Sequence, residues 1–320
     1  MKTLNFLYRT YFLLPNFDFL GKFGKGMNRA IGISFKKLMD ATVPKQFLKT
    51  QKEAEFGLNT QRREKTYIVS LTSFPARIED IWISIECILR QSFKPDRILL
   101  WLAEEQFEGR ELPLKLIELQ KRGLEIRYCD DLKAHKKYYY TMKEFPESYV
   151  ITLDDDLYYD SEILNNLIQL QKANQNLIIT NRAHKINFNK SGRITNYRNW
   201  QHNVVSDKAS HLLFQTGGAG TLFPPQSLDK ELFNKPVFQD LCPFADDVWI
   251  KLMAYKKGTQ IITNRKYNKD PLSIKESQNE KLVTKNVLAG GNDVQFLNVS
   301  KYYNLNFEPE LGDSKLVNAE

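Results

Sequence analysis

From Lys65 onward, short apolar runs alternate with stretches whose apolar positions recur every three or four residues. Tyr67 to Leu71 reads as a strand, Glu79 to Arg90 as a helix, Arg97 to Leu102 as a second strand, and Leu112 to Lys121 as a helix stopped by Gly123. The cycle then repeats. Leu124 to Cys129 reads as a third strand, Tyr138 to Phe145 as a short helix, and Tyr149 to Leu153 as a fourth strand. Strands and helices alternating at this spacing predict an α/β fold, with a mostly parallel, Rossmann-like sheet covered by helices on both faces.

Past the fourth strand the regularity fades. Asp160 followed by SEILNNLIQLQ reads as a helix start, whereas Arg182 to His211 has no period and predicts loops and short strands. Residues 215–220, QTGGAG, supply flexible backbone before a strand at Thr221 to Phe223, which Pro224 and Pro225 stop. A last helix reads from about Ala245 to Tyr255. Three segments follow: a basic extension over 1–65, a domain over 66–265, and a weakly patterned tail over 266–320 that wraps the domain or is partly mobile.

Charge sharpens this division. The chain carries a net +8, and residues 1–65 hold 13 Lys and Arg against 5 Asp and Glu, so the remainder balances at 33 of each sign. A nucleic-acid-binding core would carry a basic face of its own, so no nucleic-acid partner is expected. The extension interleaves Lys22, Lys25, Arg29, Lys36 and Lys37 with apolar and aromatic clusters such as Phe17, Phe19, Leu20 and Phe23. That pattern suits a helix resting on an anionic membrane surface, or else an extension that packs on its own domain or on a second subunit. Arg9, Pro15 and Asp18 interrupt the most apolar part, so no spanning segment is predicted, and a secretory signal is not read. Cys87, Cys129 and Cys242 are odd in number and form no CxxC pair, which argues against a disulfide scaffold or structural zinc and for a reducing compartment.

The candidate chemistry begins at the end of the fourth strand. Asp154, Asp155 and Asp156 repel one another, and such a cluster at a strand end fits either a divalent cation or a solvated turn. Ligands of open α/β sheets bind at the carboxyl ends of the strands, which is where the triplet falls. A second pair, Asp246 and Asp247, opens the last helix, as either an N-terminal cap or a functional pair. Arg77, Lys136 and Lys137 fall near the same sheet edge and suit a phosphate-bearing ligand, while Asp130 and Asp131 end the third strand.

Five segments together carry a resemblance: SLTSFPARI at 70–78, HKKYYY at 135–140, ITLDDDLYY at 151–159, TGGAGTLFPP at 216–225 and PFADDVWIKLMA at 243–254. In order and spacing, residues 66–265 resemble bacterial glycosyltransferases of the GT-A fold, the family-2-like enzymes of surface-polysaccharide clusters, and more distantly the exostosin-type domain. The resemblance implies a nucleotide-sugar donor, a Mn2+ or Mg2+ cofactor, a glycan or lipid-linked acceptor, and work on the cytoplasmic face of a membrane. It implies Asp156 and Asp154 as metal contacts, Asp154 and Asp155 near the donor with Arg77, Lys136 and Lys137 on its diphosphate, and Asp247 as base with Asp246 as fallback. Trp200, Trp249, Gly217 and Gly218 are the candidates for the acceptor, and His184 for a sugar hydroxyl. Whether the anomeric configuration is inverted or retained stays open, because the two resemblances differ there. A noncatalytic sugar-binding protein on the same fold, or a phosphotransferase using the same D-x-D, are the alternative readings.

Overall fold

The computed structural model describes residues 1–51, 54–264, 269–275 and 290–310. Ten strands run along it: β1 (Tyr67–Thr72), β2 (Arg97–Ala103), β3 (Leu124–Cys129), β4 (Tyr149–Thr152), β5 (Ile178–Thr180), β6 (Ala183–Lys185), β7 (Gln201–Val204), β8 (Leu213–Gln215), β9 (Thr221–Phe223) and β10 (Ile261–Thr263). Seven form the main sheet in the order β10-β5-β9-β4-β1-β2-β3, and β7-β6-β8 form a small antiparallel sheet. In the main sheet only β9 runs against its neighbours β4 and β5. The apolar run of β9 is legible in the sequence, but its direction is not, because side-chain alternation is the same read either way.

Period-two alternation places successive residues of β1 on opposite faces. Val69 and Leu71 enter the larger core with α3 (Ile81–Leu89), whereas Ile68 joins Leu99 and Trp101 against Tyr140 and Phe145 at α6 (Lys136–Glu144). Helices thus cover both faces of a mostly parallel, Rossmann-like sheet, as the sequence predicts. The helix expected over 112–121 divides into a short α-helix at Leu114–Glu118 and a 3-10 turn at Leu119–Arg122, ended by Gly123 at φ +109°. The helix expected from Asp160 starts at Ile163 and runs to Ala173, with Asp160 accepting from the Glu162 amide just before it.

The basic extension is two helices, Lys2–Leu13 and Gly21–Thr50. Their inner faces bury Leu4, Tyr8, Met39, Val43 and Phe47 in the same core as β1 and α3. The outer side of the extension stays open to solvent. There Leu13, Phe19 and Phe23 are 84%, 78% and 71% exposed. Among the described residues, no helix is long and apolar enough to cross a membrane.

Of the tail expected over 266–320, residues 269–275 lie along the loop after β4, with the Tyr158 amide donating to Leu272 O at 2.9 Å and the Ile274 amide to Asp156 O at 2.7 Å. Residues Gly291–Tyr302 form a helix whose weak periodicity hides it in the sequence, and it buries Phe296 and Val299 against the second core. Residues 266–268, 276–289 and 311–320, also read as tail, lie outside the described residues.

Candidate active site at the carboxyl edge of the sheet

Because β9 runs antiparallel, the glycine-rich segment before it arrives at the same edge as the carboxyl ends of β1, β3 and β4. Gly217 and Gly218 are thereby brought against the acidic triplet. The turn after β4 is shaped by hydroxyls to which the sequence reading gives no role. The Tyr159 hydroxyl accepts from the Asp154 amide at 2.9 Å and lies 2.9 Å from Gly218 O, tying the two loops together. Ser84 donates to Asp155 O and Leu157 O at 3.0 and 2.9 Å, and Ser73 donates to Asp155 Oδ2 at 2.6 Å. Apart from the Asp154–Tyr159 bond, these contacts join residues 59 to 82 apart in sequence, so only the fold reveals them.

The three carboxylates diverge. Arg77 places Nη1 2.6 Å from Asp155 Oδ1 and Nη2 3.1 Å from Asp156 Oδ2, and both carboxylates are buried. Burial opposes the Arg77 charge, but Asp155 and Asp156 more than compensate and hold its pKa above the usual value. Asp155 is still pushed above the ordinary carboxylate range, because burial outweighs Arg77 and Ser73. Asp154 is the accessible member, with its side chain 34% exposed. Asp156, the expected direct metal ligand, is thus paired with Arg77, and Arg77, expected on the donor, is paired with the triplet.

Lys137 joins the two acidic motifs. Its Nζ lies 3.0 Å from Asp154 Oδ1 and 2.8 Å from Asp246 Oδ2, and burial of the ammonium is overcome by Asp154, Asp246 and Asp247, which hold its pKa well above normal. The pair opens α9 (Asp246–Lys257), where the capping position is Ala245 and makes no side-chain cap. Asp247 instead accepts from the Gly217 amide at 3.1 Å on each oxygen, and Gln215 Nε2 donates to the Asp247 carbonyl at 2.9 Å. Burial would raise Asp246, but Lys137 and His135 override it and keep its pKa low. Burial and the neighbouring Asp246 push Asp247 up to about 7. Two adjacent carboxyls are therefore separated in acidity, Asp246 by Lys137 and His135 and Asp247 by burial beside Asp246, an arrangement common where a proton must be exchanged near neutral pH.

An added side chain at Gly217 or Gly218 would have to displace the charged groups. A Cβ at Gly217 would lie 2.9 Å from both Asp247 Oδ1 and Lys137 Nζ, and one at Gly218 would lie 3.0 Å from Asp154 Oδ2. Beside this cluster, Lys136 is buried against Asp131 at 2.7 Å, which faces a cleft of about 710 Å3 lined by Glu104, Phe107, Tyr128 and Asp130 among others. Lys136 thus buttresses the cleft wall and makes no contact with the acidic triplet in the described pairs.

The aromatic candidates belong to the core. Trp249 is fully buried, meets Phe238 edge to face, and donates its indole N–H to Leu232 O at 3.1 Å, so no face is left for a sugar. Trp200 packs on Tyr197, Phe214 and Phe296 and donates to Thr195 O at 2.9 Å. His184 is buried and accepts from the Asn203 amide at 3.1 Å, a structural arrangement. In each case the polar tip finds a backbone partner, as buried aromatic and imidazole groups require.

The donor set suits a hard cation. In the described ion pairs, Asp154, Asp155, Asp156 and Asp246 have Arg77 and Lys137 as their cations, and Asp247 adds a fifth carboxyl, so the cluster is acidic in excess. Carboxylate oxygens are the ligands that magnesium and manganese prefer. Among the described residues no group of three or more His, Cys, Asp or Glu side chains is placed to hold a metal ion by itself. A cation here would take Asp154, with Asp156 behind it, and complete its shell from ligand oxygens and water.

No protein-family model matches the chain, and no curated protein matches it. Solved structures do. A mannosyltransferase, PcManGT from Pyrobaculum calidifontis in complex with GDP-Man and Mn2+, superposes with a TM-score of 0.46 at 13% identity, over 90% of this chain and 79% of its own. A CMP:2-keto-3-deoxy-manno-octonic acid synthetase complexed with CTP superposes with a TM-score of 0.38 at 12% identity, over 63% of this chain and 89% of its own. Likenesses this distant carry over neither a residue nor a substrate.

Proposed function

We propose that this chain is a metal-dependent glycosyltransferase that moves a sugar from a nucleotide-sugar donor to a hydroxyl of a glycan or lipid-linked acceptor in surface-polysaccharide synthesis. The observation that carries the reading is the convergence of Asp154, Lys137, Asp246 and Asp247 on Gly217 and Gly218 at the carboxyl edge of the sheet.

In this reading the donor diphosphate approaches Asp154 and Lys137, and the missing side chains of Gly217 and Gly218 admit the sugar close to the backbone. A divalent cation held at Asp154 would offset the negative charge that grows on the leaving diphosphate. Asp247 takes the proton of the acceptor hydroxyl as that oxygen attacks the anomeric carbon. A carboxyl raised to about 7 suits this role, since about half of it is deprotonated at neutral pH and that form is a stronger base than an ordinary aspartate. Lys137 keeps Asp246 ionised beside it, and Arg77 holds Asp155 and Asp156 in place. The exposed apolar residues of the extension, with Lys22, Lys25 and Arg29 close in sequence, would rest on the anionic inner face of a membrane where a lipid-linked acceptor lies.

Calorimetry with UDP-, GDP- and CMP-sugars, with and without Mn2+, on the parent and on Asp154→Ala, tests this. Mn2+-dependent binding of one donor, lost in Asp154→Ala, is expected. Failure of every donor under both conditions would overturn the transferase reading in favour of a noncatalytic sugar-binding protein.

A further inference from the structure

Lys137 is out of the ordinary for a residue facing a cation site. Its ammonium is buried, and it bridges the one accessible carboxylate of the triplet, Asp154, to Asp246 across the cluster, at 3.0 and 2.8 Å. A divalent cation approaching Asp154 meets a positive charge already seated on that carboxylate. The two cannot share it at full strength, because like charges a few ångströms apart in a desolvated site repel strongly.

We propose that Lys137 is a built-in counter-ion that a divalent cation displaces from Asp154, so that the cation binds weakly until a diphosphate arrives to receive the ammonium. The inference rests on the transferase reading for the identity of that diphosphate, but the competition itself concerns this chain alone. Three features support it. Lysine presents a compact charge on a flexible four-carbon stem, which can move between partners in a way the rigid fork of Arg77 cannot. The ammonium lies against Gly217, where an added Cβ would approach it to 2.9 Å, so the absent side chain leaves the stem its space. And with Lys137 withdrawn, Asp154, Asp246 and Asp247 would face one another without a cation, which is costly unless a divalent ion takes its place.

The consequence is positive coupling between cation and donor, which linkage requires to be reciprocal. Without the donor, Lys137 satisfies Asp154 and Asp246. With donor and cation present, the cation occupies Asp154 and the ammonium turns to phosphate oxygens. The lysine thus keeps the acidic edge neutralised between turnovers and discourages adventitious metal.

The test is Mn2+ binding without any donor, read by the electron paramagnetic resonance signal of free Mn2+, on the parent, Lys137→Met, Lys137→Gln, Lys137→Arg and Asp154→Asn. The neutral variants are expected to bind Mn2+ at least ~10-fold more tightly than the parent, with Lys137→Arg near the parent and Asp154→Asn weaker than it. The neutral variants should also unfold at a lower temperature than the parent in metal-free buffer and recover on adding Mn2+, which loss of a purely structural lysine would not produce. Equal Mn2+ affinity in the parent and the neutral variants overturns the proposal, as does no Mn2+ binding in any of them. If neither neutral variant folds without metal, Mn2+ must restore a cooperative unfolding transition, and failure to do so overturns it as well. Donor binding in the calorimetric panel is a separate readout, so the transferase reading can survive loss of this one.

Discussion

The Tyr158 hydroxyl donates to Asp40 Oδ1 at 2.8 Å, joining the second N-terminal helix to the loop that carries the acidic triplet. The same carboxylate oxygen accepts from the Lys275 amide at 3.0 Å, while Arg9 pairs with Asp160 at 3.1 Å and Asn5 donates to Ser161 at 2.8 Å. The basic extension is therefore a structural support of the candidate site as well as a surface. Tyr158→Phe, which removes only the hydroxyl, is expected to cost about 1 kcal/mol of stability, since Asp40 keeps its other partners. Urea unfolding of the purified variant measures it, and an unchanged midpoint would show that the contact contributes nothing.

Deleting the extension would expose Leu4, Tyr8, Met39 and Phe47 from the core, so truncation is a poor test of lipid binding. Substituting Leu13, Phe19 and Phe23 together by Ser removes exposed apolar area without touching that packing. Because each buried apolar side chain contributes roughly 1.5–3 kcal/mol, cosedimentation with anionic vesicles should fall by well over ~10-fold while the unfolding midpoint holds. Equal sedimentation of parent and variant would remove the membrane from the proposal.

Asp247→Asn keeps the shape of the side chain but removes the base. Turnover is expected to drop by ~100-fold or more with donor affinity nearly unchanged, because general-base catalysis is lost and binding is not. In the parent, activity should rise with pH through about 7 as Asp247 gives up its proton. A variant that retains parental turnover would assign the base elsewhere, with Asp246 the next to test.

Gly217→Ala introduces a Cβ that would meet the Asp247 carboxylate and the Lys137 ammonium at 2.9 Å. Both are positioned for function more than for packing, so activity should suffer far more than stability. A variant as active as the parent would show that the two groups can shift without consequence.

His135 and His184 are buried and stay neutral: burial lowers the first to about 4 and the second to about 2, against 6.5 when unfolded. Below 6.5 the unfolded chain binds protons that the folded chain refuses. The stability they contribute is complete above about 6.5 and is lost as pH falls from there toward 4, at up to about 1.4 kcal/mol per pH unit for each histidine. Urea midpoints between pH 7 and 5 should show this decline, and His135→Gln should make it shallower, leaving the part due to His184. A midpoint independent of pH over that range would mean that these imidazoles are protonated in the folded state.

Much of this was written in local pattern. The strands Tyr67–Thr72, Arg97–Ala103 and Leu124–Cys129 and the parallel sheet they form follow from apolar runs of strand length separated by helical periods. Both acidic motifs and the glycine pair were equally legible, because their chemistry is carried by consecutive residues. The tertiary structure decided which carboxylate faces outward, because that depends on Arg77 and Lys137, which lie 78 and 17 residues away from their partners. It also withdrew Trp249 and Trp200 into the core, since a tryptophan at helical spacing, like Trp249, or in an unpatterned segment, like Trp200, reads alike whether it packs or binds. And it gave the N-terminal helices two faces, one buried and one exposed. Sequence periodicity reports that a face is apolar, whereas only packing against a particular neighbour removes it from water.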